Sequence, residues 1–359
     1  MMETATLGRT GLTINRLGFG GIKLPRVESP KLAADIVERA IDKGVNFIDT
    51  ARVYGTSEER IGAVMKRRRE EVVLASKVIR RTRKEAEEDI ETGLRNLQTD
   101  HIDLYQIHDV SIWENYEKAT GPGGALEAVL AARDAGKVRY IGISGHELDV
   151  LAEAIRTDIF DTVQVAYNLA NRQAAEKVIP LAKERNMGVI NMKPFAGGML
   201  LTEVKRSDDD ADLPQISADA ALRFCLGQRD ITVVIPGMQR LEEVDENVAI
   251  AESFARLSTD ELETYVKAAL SLGEGFCRAC EYCQPCPEGI QIHEIMQAIG
   301  HVKRFQGDWD MLHRMRQKYQ SLEKNATDCA DCGECEGRCP FHLPIRDTMK
   351  EAEERLGAK

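Results

Sequence analysis

Eight short apolar runs, each tied to a helical pattern, constrain this 359-residue chain more than any other feature. The first run is 17–20. The amphipathic stretch 32–43 leads to the run 45–48, 58–66 leads to 72–77, and 84–97 leads to 101–108. Helical patterns at 125–135, 148–155, 173–185 and 218–226 precede the runs 138–144, 162–167, 189–193 and 231–235, and a helix at 241–254 closes the series. Runs that are apolar throughout suit strands buried on both faces, and therefore a parallel sheet. Eight units in about 240 residues fit a closed (β/α)8 TIM barrel better than an open sheet. The glycines of Leu17-Gly18-Phe19-Gly20-Gly21 open no helix, so they read as strand-end turn chemistry and not as a dinucleotide fingerprint.

The cysteines define a second module. Cys277, Cys280, Cys283 and Cys286 are spaced by two residues each and followed by proline. Cys329, Cys332, Cys335 and Cys339 have the bacterial ferredoxin spacing for iron–sulfur ligation, also followed by proline. Zinc is an alternative for such pairs, but a structural zinc needs only four ligands. Disulfides are a third reading, and they require an oxidising compartment. Cys225 stands alone in an apolar helical stretch and reads as a buried core thiol.

A net charge of −11 argues against nucleic acid as a partner, because a phosphate backbone requires a basic surface. The basic clusters 67–69 and 80–84 read as solvated loop charge. No apolar run reaches the roughly 18 to 20 residues that span a bilayer, so no membrane segment is expected. Reduced-thiol chemistry and the lack of a leader pattern at the start point to the cytoplasm.

In a barrel of this kind, polar residues at the C-terminal ends of the strands form the active site. That rule selects Asp49, Lys77 and His108, with Tyr54 in the loop just after Asp49. Lys77, desolvated at the mouth, would stabilise a phenolate at Tyr54, and Asp49 would hold Lys77 charged and oriented. Tyr54 could then protonate a developing alkoxide, while His108 orients a carbonyl oxygen. Each residue alone also has an ordinary structural reading.

Asp49-Thr50-Ala51-x-x-Tyr54-Gly55, Ser76-Lys77 and Tyr105-Gln106-Ile107-His108 resemble the catalytic tetrad motifs of the aldo-keto reductases. Leu7-Gly8-Arg9-Thr10-Gly11-Leu12 is similar to that family's N-terminal hairpin. With the cysteine tail, the chain resembles the subgroup carrying a C-terminal ferredoxin-like 4Fe-4S domain. The resemblance implies an oxidoreductase that passes hydride between NAD(H) or NADP(H) and a small-molecule carbonyl or alcohol. It implies that Ser144 and Gln164 bind the carboxamide, with Gly145 where an Asn is usual. It also implies cofactor contacts from Lys193 and Phe195, and an adenosine segment from Pro236 and Gly237 to Asn247. Relatives specific for NADPH often carry Lys at the position of Gly237 and Arg at that of Glu243. The acid at 243 favours NAD, with Arg240 as the only nearby cation to compensate.

Two loops are long enough to shape a substrate pocket: 109–124, with Trp113 and Tyr116, and 195–216, with Asp208–Asp210. The barrel with its closing helix is expected over 1–272 and an α-helical ferredoxin-like domain over 273–359, with a hinge at 273–275. Helices are expected at 259–272, 292–305, 309–322 and 345–356. In two-cluster ferredoxins the fourth cysteine of each run ligates the other cluster. That pattern suggests Cys277, Cys280, Cys283 and Cys339 on one 4Fe-4S cluster, and Cys329, Cys332, Cys335 and Cys286 on the other. The first run is one residue short of the usual spacing, so a single cluster is the alternative. The clusters could act as a staple, or as a wire to an electron-transfer protein. A nucleotide-sensing subunit is a further alternative for the whole chain.

Overall fold

The structure is a computed structural model that describes residues 1–201, 212–271, 276–277, 282–304 and 309–357. These residues gather into two compact units, Met1–Phe195 with Ala218–Ser258, and Ala196–Ser217 with Thr259–Lys359.

The first unit opens with an antiparallel hairpin, β1 (Thr4–Thr6) and β2 (Thr13–Asn15). Eight parallel strands follow: β3 (Phe19–Gly20), β4 (Phe47–Asp49), β5 (Val73–Val78), β6 (Ile102–Ile107), β7 (Val138–Gly145), β8 (Thr162–Ala166), β9 (Gly188–Met192) and β10 (Val233–Ile235). Each pairs with its neighbour in chain order, and parallel bridges Leu17↔Val234 and Gly20↔Gly237 join the last strand to the first. The helices α1 (Pro30–Asp42), α2 (Ser57–Arg68), α3 (Arg83–Leu97), α4 (Trp113–Thr120), α5 (Ala125–Asp134), α6 (Leu148–Arg156), α7 (Val178–Glu184), α8 (Ala218–Gly227) and α9 (Leu241–Glu252) lie between and after the strands. The result is a (β/α)8 barrel.

Local sequence sets the helix ends. Ser29 caps α1 by accepting a hydrogen bond from Leu32 N at 3.1 Å, with Pro30 at the first helical position. The helix expected at 173–185 is broken into a turn at Gln173–Ala175 and the shorter α7. Pro180 explains the break: it has no N–H to donate, and only the first turn of a helix tolerates that. The loop expected at 109–124 contains α4, whose Trp113 packs edge-on against Tyr116.

The hairpin seals one end of the barrel. Leu7 and Ile14 pack with Phe47, Leu104, Ile190 and Val233 in the core. Gly8 makes the close approach feasible: its φ is +52°, and a Cβ there would lie 2.2 Å from Gly188 N. Only the end formed by the strand C-termini is left for chemistry. Cys225 is fully buried, as its sequence context suggests, and its Sγ lies 3.3 Å from the carbonyl of Tyr167.

The second unit is helical, with α10 (Thr259–Leu270), α11 (Ile292–Arg304), α12 (Trp309–Gln320), α13 (Glu334–Gly337) and α14 (Ile345–Ala352). Its core includes Ile290, Ile295, Ile299, Tyr319 and Met349. Asp208–Asp210, the expected hinge 273–275 and Cys280 lie outside the described residues. Among the described residues, no helix is long and apolar enough to cross a membrane.

Candidate active site

The inward faces of the strands change character along the barrel axis. Side chains alternate along a strand, so residues two apart share a face. Phe47, Ala75, Leu104 and Tyr140 form part of the apolar core or pack on it. Two residues further along the same strands come Asp49, Lys77, Gln106 and Gly142, and then His108 and Ser144 two beyond the last pair. The sheet register pairs Lys77 with Gln106 and Ser144 with Gln164, so the polar groups come to neighbouring levels.

Lys77 is the centre of this layer. It is fully buried, and its Nζ donates to Asp49 Oδ2 at 2.6 Å and to the carbonyl of Thr50 at 2.8 Å. Burial pushes the Lys77 ammonium down and the Asp49 carboxyl up, and the ion pair between them opposes both shifts. Gln106 Nε2 donates to Asp49 Oδ1 at 3.2 Å and to Gln164 Oε1 at 3.0 Å. The ammonium stands over the ring of Tyr54, 4.9 Å from its centroid. Such a contact is favourable because the ring face is electron-rich. Tyr54 also meets His108 edge-on, with the ring centroids 5.7 Å apart. His108 is 2 % exposed. Burial, followed by the charges of Lys77, Arg81 and Lys193, holds its imidazole well below its usual range, so the ring is neutral at pH 7. Asp49, Tyr54, Lys77 and His108 thus converge on one cluster.

The expected cofactor residues divide into two groups. Ser144 and Gln164 are buried beside the tetrad. Ser144 Oγ accepts from Asp109 N at 3.3 Å, and Gln164 also hydrogen-bonds the Asp49 carboxylate. Lys193 sits after β9 in a left-handed conformation with φ 58°, its carbonyl accepting from Asn168 Nδ2 at 2.9 Å, and Phe195 is buried just beyond. Pro236, Gly237, Arg240, Glu243 and Asn247 lie on the loop after β10 and on α9. Asn247 is buried, and the Pro236 carbonyl accepts from Gly20 N at 2.9 Å.

Glu243 is committed locally. It accepts from Gln239 N at 2.8 Å and pairs with Arg240 at 3.1 Å, so it caps its own loop. Arg240 is not the only cation here. Half-buried Lys23 lays its stem where a Cβ on Gly237 would sit, 3.2–3.3 Å away, and feels the charge of Glu243. Lys23 carries no sequence signal for this place, because its approach depends on barrel closure between β3 and β10. Gln106 was legible: it alternates in phase with Leu104 and His108.

An acceptor inside the barrel suits a polar ligand. Among the described residues, the buried, inward-facing oxygen Gln106 Oε1 has no hydrogen-bond partner. Buried polar atoms are rarely left so, and each marks capacity for a bound group.

In the second unit, Cys286, Cys329, Cys332 and Cys335 line one cavity, together with Ile290 and Arg346. Cys332 is exposed, whereas Cys283 and Cys339 are buried and Cys277 is half-buried. No three Cys, His, Asp or Glu side chains among the described residues close on a single metal ion. A cavity ringed by four thiols suits a cluster in which each ligand takes its own iron.

Comparison with known proteins agrees with this construction. Residues 16–215 match the aldo/keto reductase family, and residues 276–344 match the 4Fe-4S dicluster domain. The chain belongs to the aldo/keto reductase family of oxidoreductases and carries a C-terminal 4Fe-4S dicluster domain. It is similar to the uncharacterized oxidoreductase YrpG of Bacillus subtilis, at 30% identity over 70% of this chain and 91% of the relative. It is also similar to the L-galactose dehydrogenase of Arabidopsis thaliana, at 28% identity over 72% of this chain and 91% of that protein. Among solved structures, the holo form of an aldo-keto reductase from Bacillus halodurans superposes with a TM-score of 0.63 at 26% identity, covering 75% of this chain and 96% of that one.

Proposed function

We propose that the barrel interconverts a small-molecule carbonyl and its alcohol, using NAD(H) or NADP(H), with Tyr54 as general acid and base. The nicotinamide, when bound, supplies or takes the hydride. The observation that carries the reading is the buried Asp49–Lys77 ion pair beneath the ring of Tyr54. A fixed ammonium there stabilises the phenolate left when Tyr54 gives its proton to an alkoxide. Asp49 keeps Lys77 charged despite burial. Neutral His108 at the edge of Tyr54 offers a hydrogen bond to the carbonyl oxygen without competing as an acid. Ser144 has a hydroxyl proton to offer a carboxamide, and Gln106 has acceptor capacity nearby. Lys193, Phe195, Pro236, Gly237 and Asn247 would hold the rest of the nucleotide.

NAD is favoured by charge. Glu243 neutralises Arg240, and Gly237 carries no cation. The margin is small, because Lys23 contributes one positive charge at the same end. For the second unit we infer one 4Fe-4S cluster on Cys329, Cys332, Cys335 and Cys286, supported by their shared cavity, and another on Cys277, Cys280, Cys283 and Cys339. Exposed Cys332 puts the edge of the first within reach of an electron-transfer protein.

The test is Tyr54→Phe. Its turnover of 4-nitrobenzaldehyde should fall about a hundredfold or more, the usual worth of a positioned proton donor, with nucleotide affinity near wild type. Near-normal turnover would contradict the proposal.

A further inference from the structure

Behind the tetrad, on the outer face of the sheet, lies a second buried polar cluster that the proton chemistry does not use. Its centre is Glu58, in the first turn of α2 and fully buried. A buried carboxylate is costly unless paired and hydrogen-bonded, and Glu58 has three partners. Its Oε1 accepts from Ser76 Oγ at 2.8 Å, and its Oε2 accepts from Arg52 and, at 3.3 Å, from Asn96 Nδ2.

Two of these partners flank the residues that matter. Ser76 is the residue before Lys77, on the opposite face of β5. Arg52 lies two residues before Tyr54, and its backbone N donates to the Lys77 carbonyl at 3.2 Å. We propose that Glu58 is a positioning residue for the Tyr54–Lys77 pair, fixing from behind the strand that carries one and the loop that carries the other. This inference rests on the reading of Tyr54 and Lys77 as the proton-transfer pair.

The surrounding charges are balanced. From α3, Asp89 pairs with Arg52 and Arg80, and Arg80 also meets the more exposed Glu88. Tyr105 faces the cluster from β6, and burial followed by the charges of Glu58 and Asp89 keeps its hydroxyl protonated. On the inner face, Lys77 feels Asp49 and, more weakly, Glu58. His108, Arg81 and Lys193 complete the charged groups around Tyr54 and Lys77. Glu58 therefore has two separable effects. It orders the chain through hydrogen bonds, and its negative charge raises the proton affinity of nearby groups.

The experiment compares Glu58→Gln, Glu58→Asp, Ser76→Ala and Tyr54→Phe in the full chain. Each is assayed for reduction of 4-nitrobenzaldehyde across pH, and for nucleotide affinity by fluorescence. Glu58→Gln keeps the shape and removes the charge. It should lower kcat about tenfold, leave nucleotide affinity within about twofold, and move the alkaline limb of the rate profile down by about half a pH unit or more. Glu58→Asp keeps the charge, so its limb should stay in place. Ser76→Ala removes one hydrogen bond and no charge, and provides a readout even if Glu58→Gln does not fold: kcat should fall about threefold with the limb unmoved. Wild-type kcat and limb in Glu58→Gln, or wild-type kcat in Ser76→Ala, alongside an inactive Tyr54→Phe, would overturn the role of Glu58. An active Tyr54→Phe would instead overturn the reading on which that role rests.

Discussion

Asp49→Asn isolates the electrostatics of the barrel layer. The wild-type carboxylate is 2 % exposed and 2.6 Å from the ammonium of a lysine with no exposure at all. The variant keeps the shape and the hydrogen bond from Gln106 but leaves Lys77 as an uncompensated buried cation. Removing one partner of a buried pair costs about 3–5 kcal/mol. The same loss lowers the Lys77 pKa further, because the cation no longer has its counter-charge. The sign of the pH dependence follows. Lys77 titrates lower in the folded chain than its ordinary 10.5, and lower still in the variant. Between the folded and unfolded values the unfolded chain binds more protons, so the stability of the variant rises with pH. The penalty relative to wild type should therefore be largest near neutrality and shrink toward pH 10. Pulse proteolysis in urea, followed on barrel peptides of the full chain, measures it. A loss below about 1 kcal/mol at pH 7, or a penalty that grows from pH 7 to pH 10, would refute the argument.

Two other outcomes are expected. Glu243→Arg should move nucleotide preference toward NADPH in fluorescence titrations, because Lys23 and Arg240 would no longer face a carboxylate; a wild type that already strongly prefers NADPH would contradict the charge argument. Protein prepared without oxygen should hold about eight iron atoms, and Cys286→Ser should lose one of two cluster signals in electron paramagnetic resonance. A four-iron count with Cys286 dispensable would support a single cluster.

Much of this was legible in the chain. Eight apolar runs give eight parallel strands, because a strand buried on both faces has no reason to alternate. The strand-end rule selects Asp49, Lys77 and His108, and the loop position selects Tyr54, and the structure brings these four side chains together. Contacts that depend on closure or on two-sided packing were not legible. Lys23 reaches Gly237 only because the first strand meets the last. Glu58 looks like ordinary first-turn acid in a helix, and only the packing of α2 against α3 and β5 shows it buried. Pro180 was visible and its effect underestimated: periodicity continued through 173–185, but the missing N–H divided the segment.

The central claim is that hydride reaches a carbonyl carbon while Tyr54 supplies the proton. Incubating the full chain with 4,4-dideuterated NADH or NADPH and 4-nitrobenzaldehyde, then weighing the alcohol by mass spectrometry, tests it directly. The expected result is one deuterium on the alcohol carbon, formed at least about a hundredfold more slowly by Tyr54→Phe. Alcohol without deuterium, or deuterium delivered at an unchanged rate by Tyr54→Phe, would contradict it.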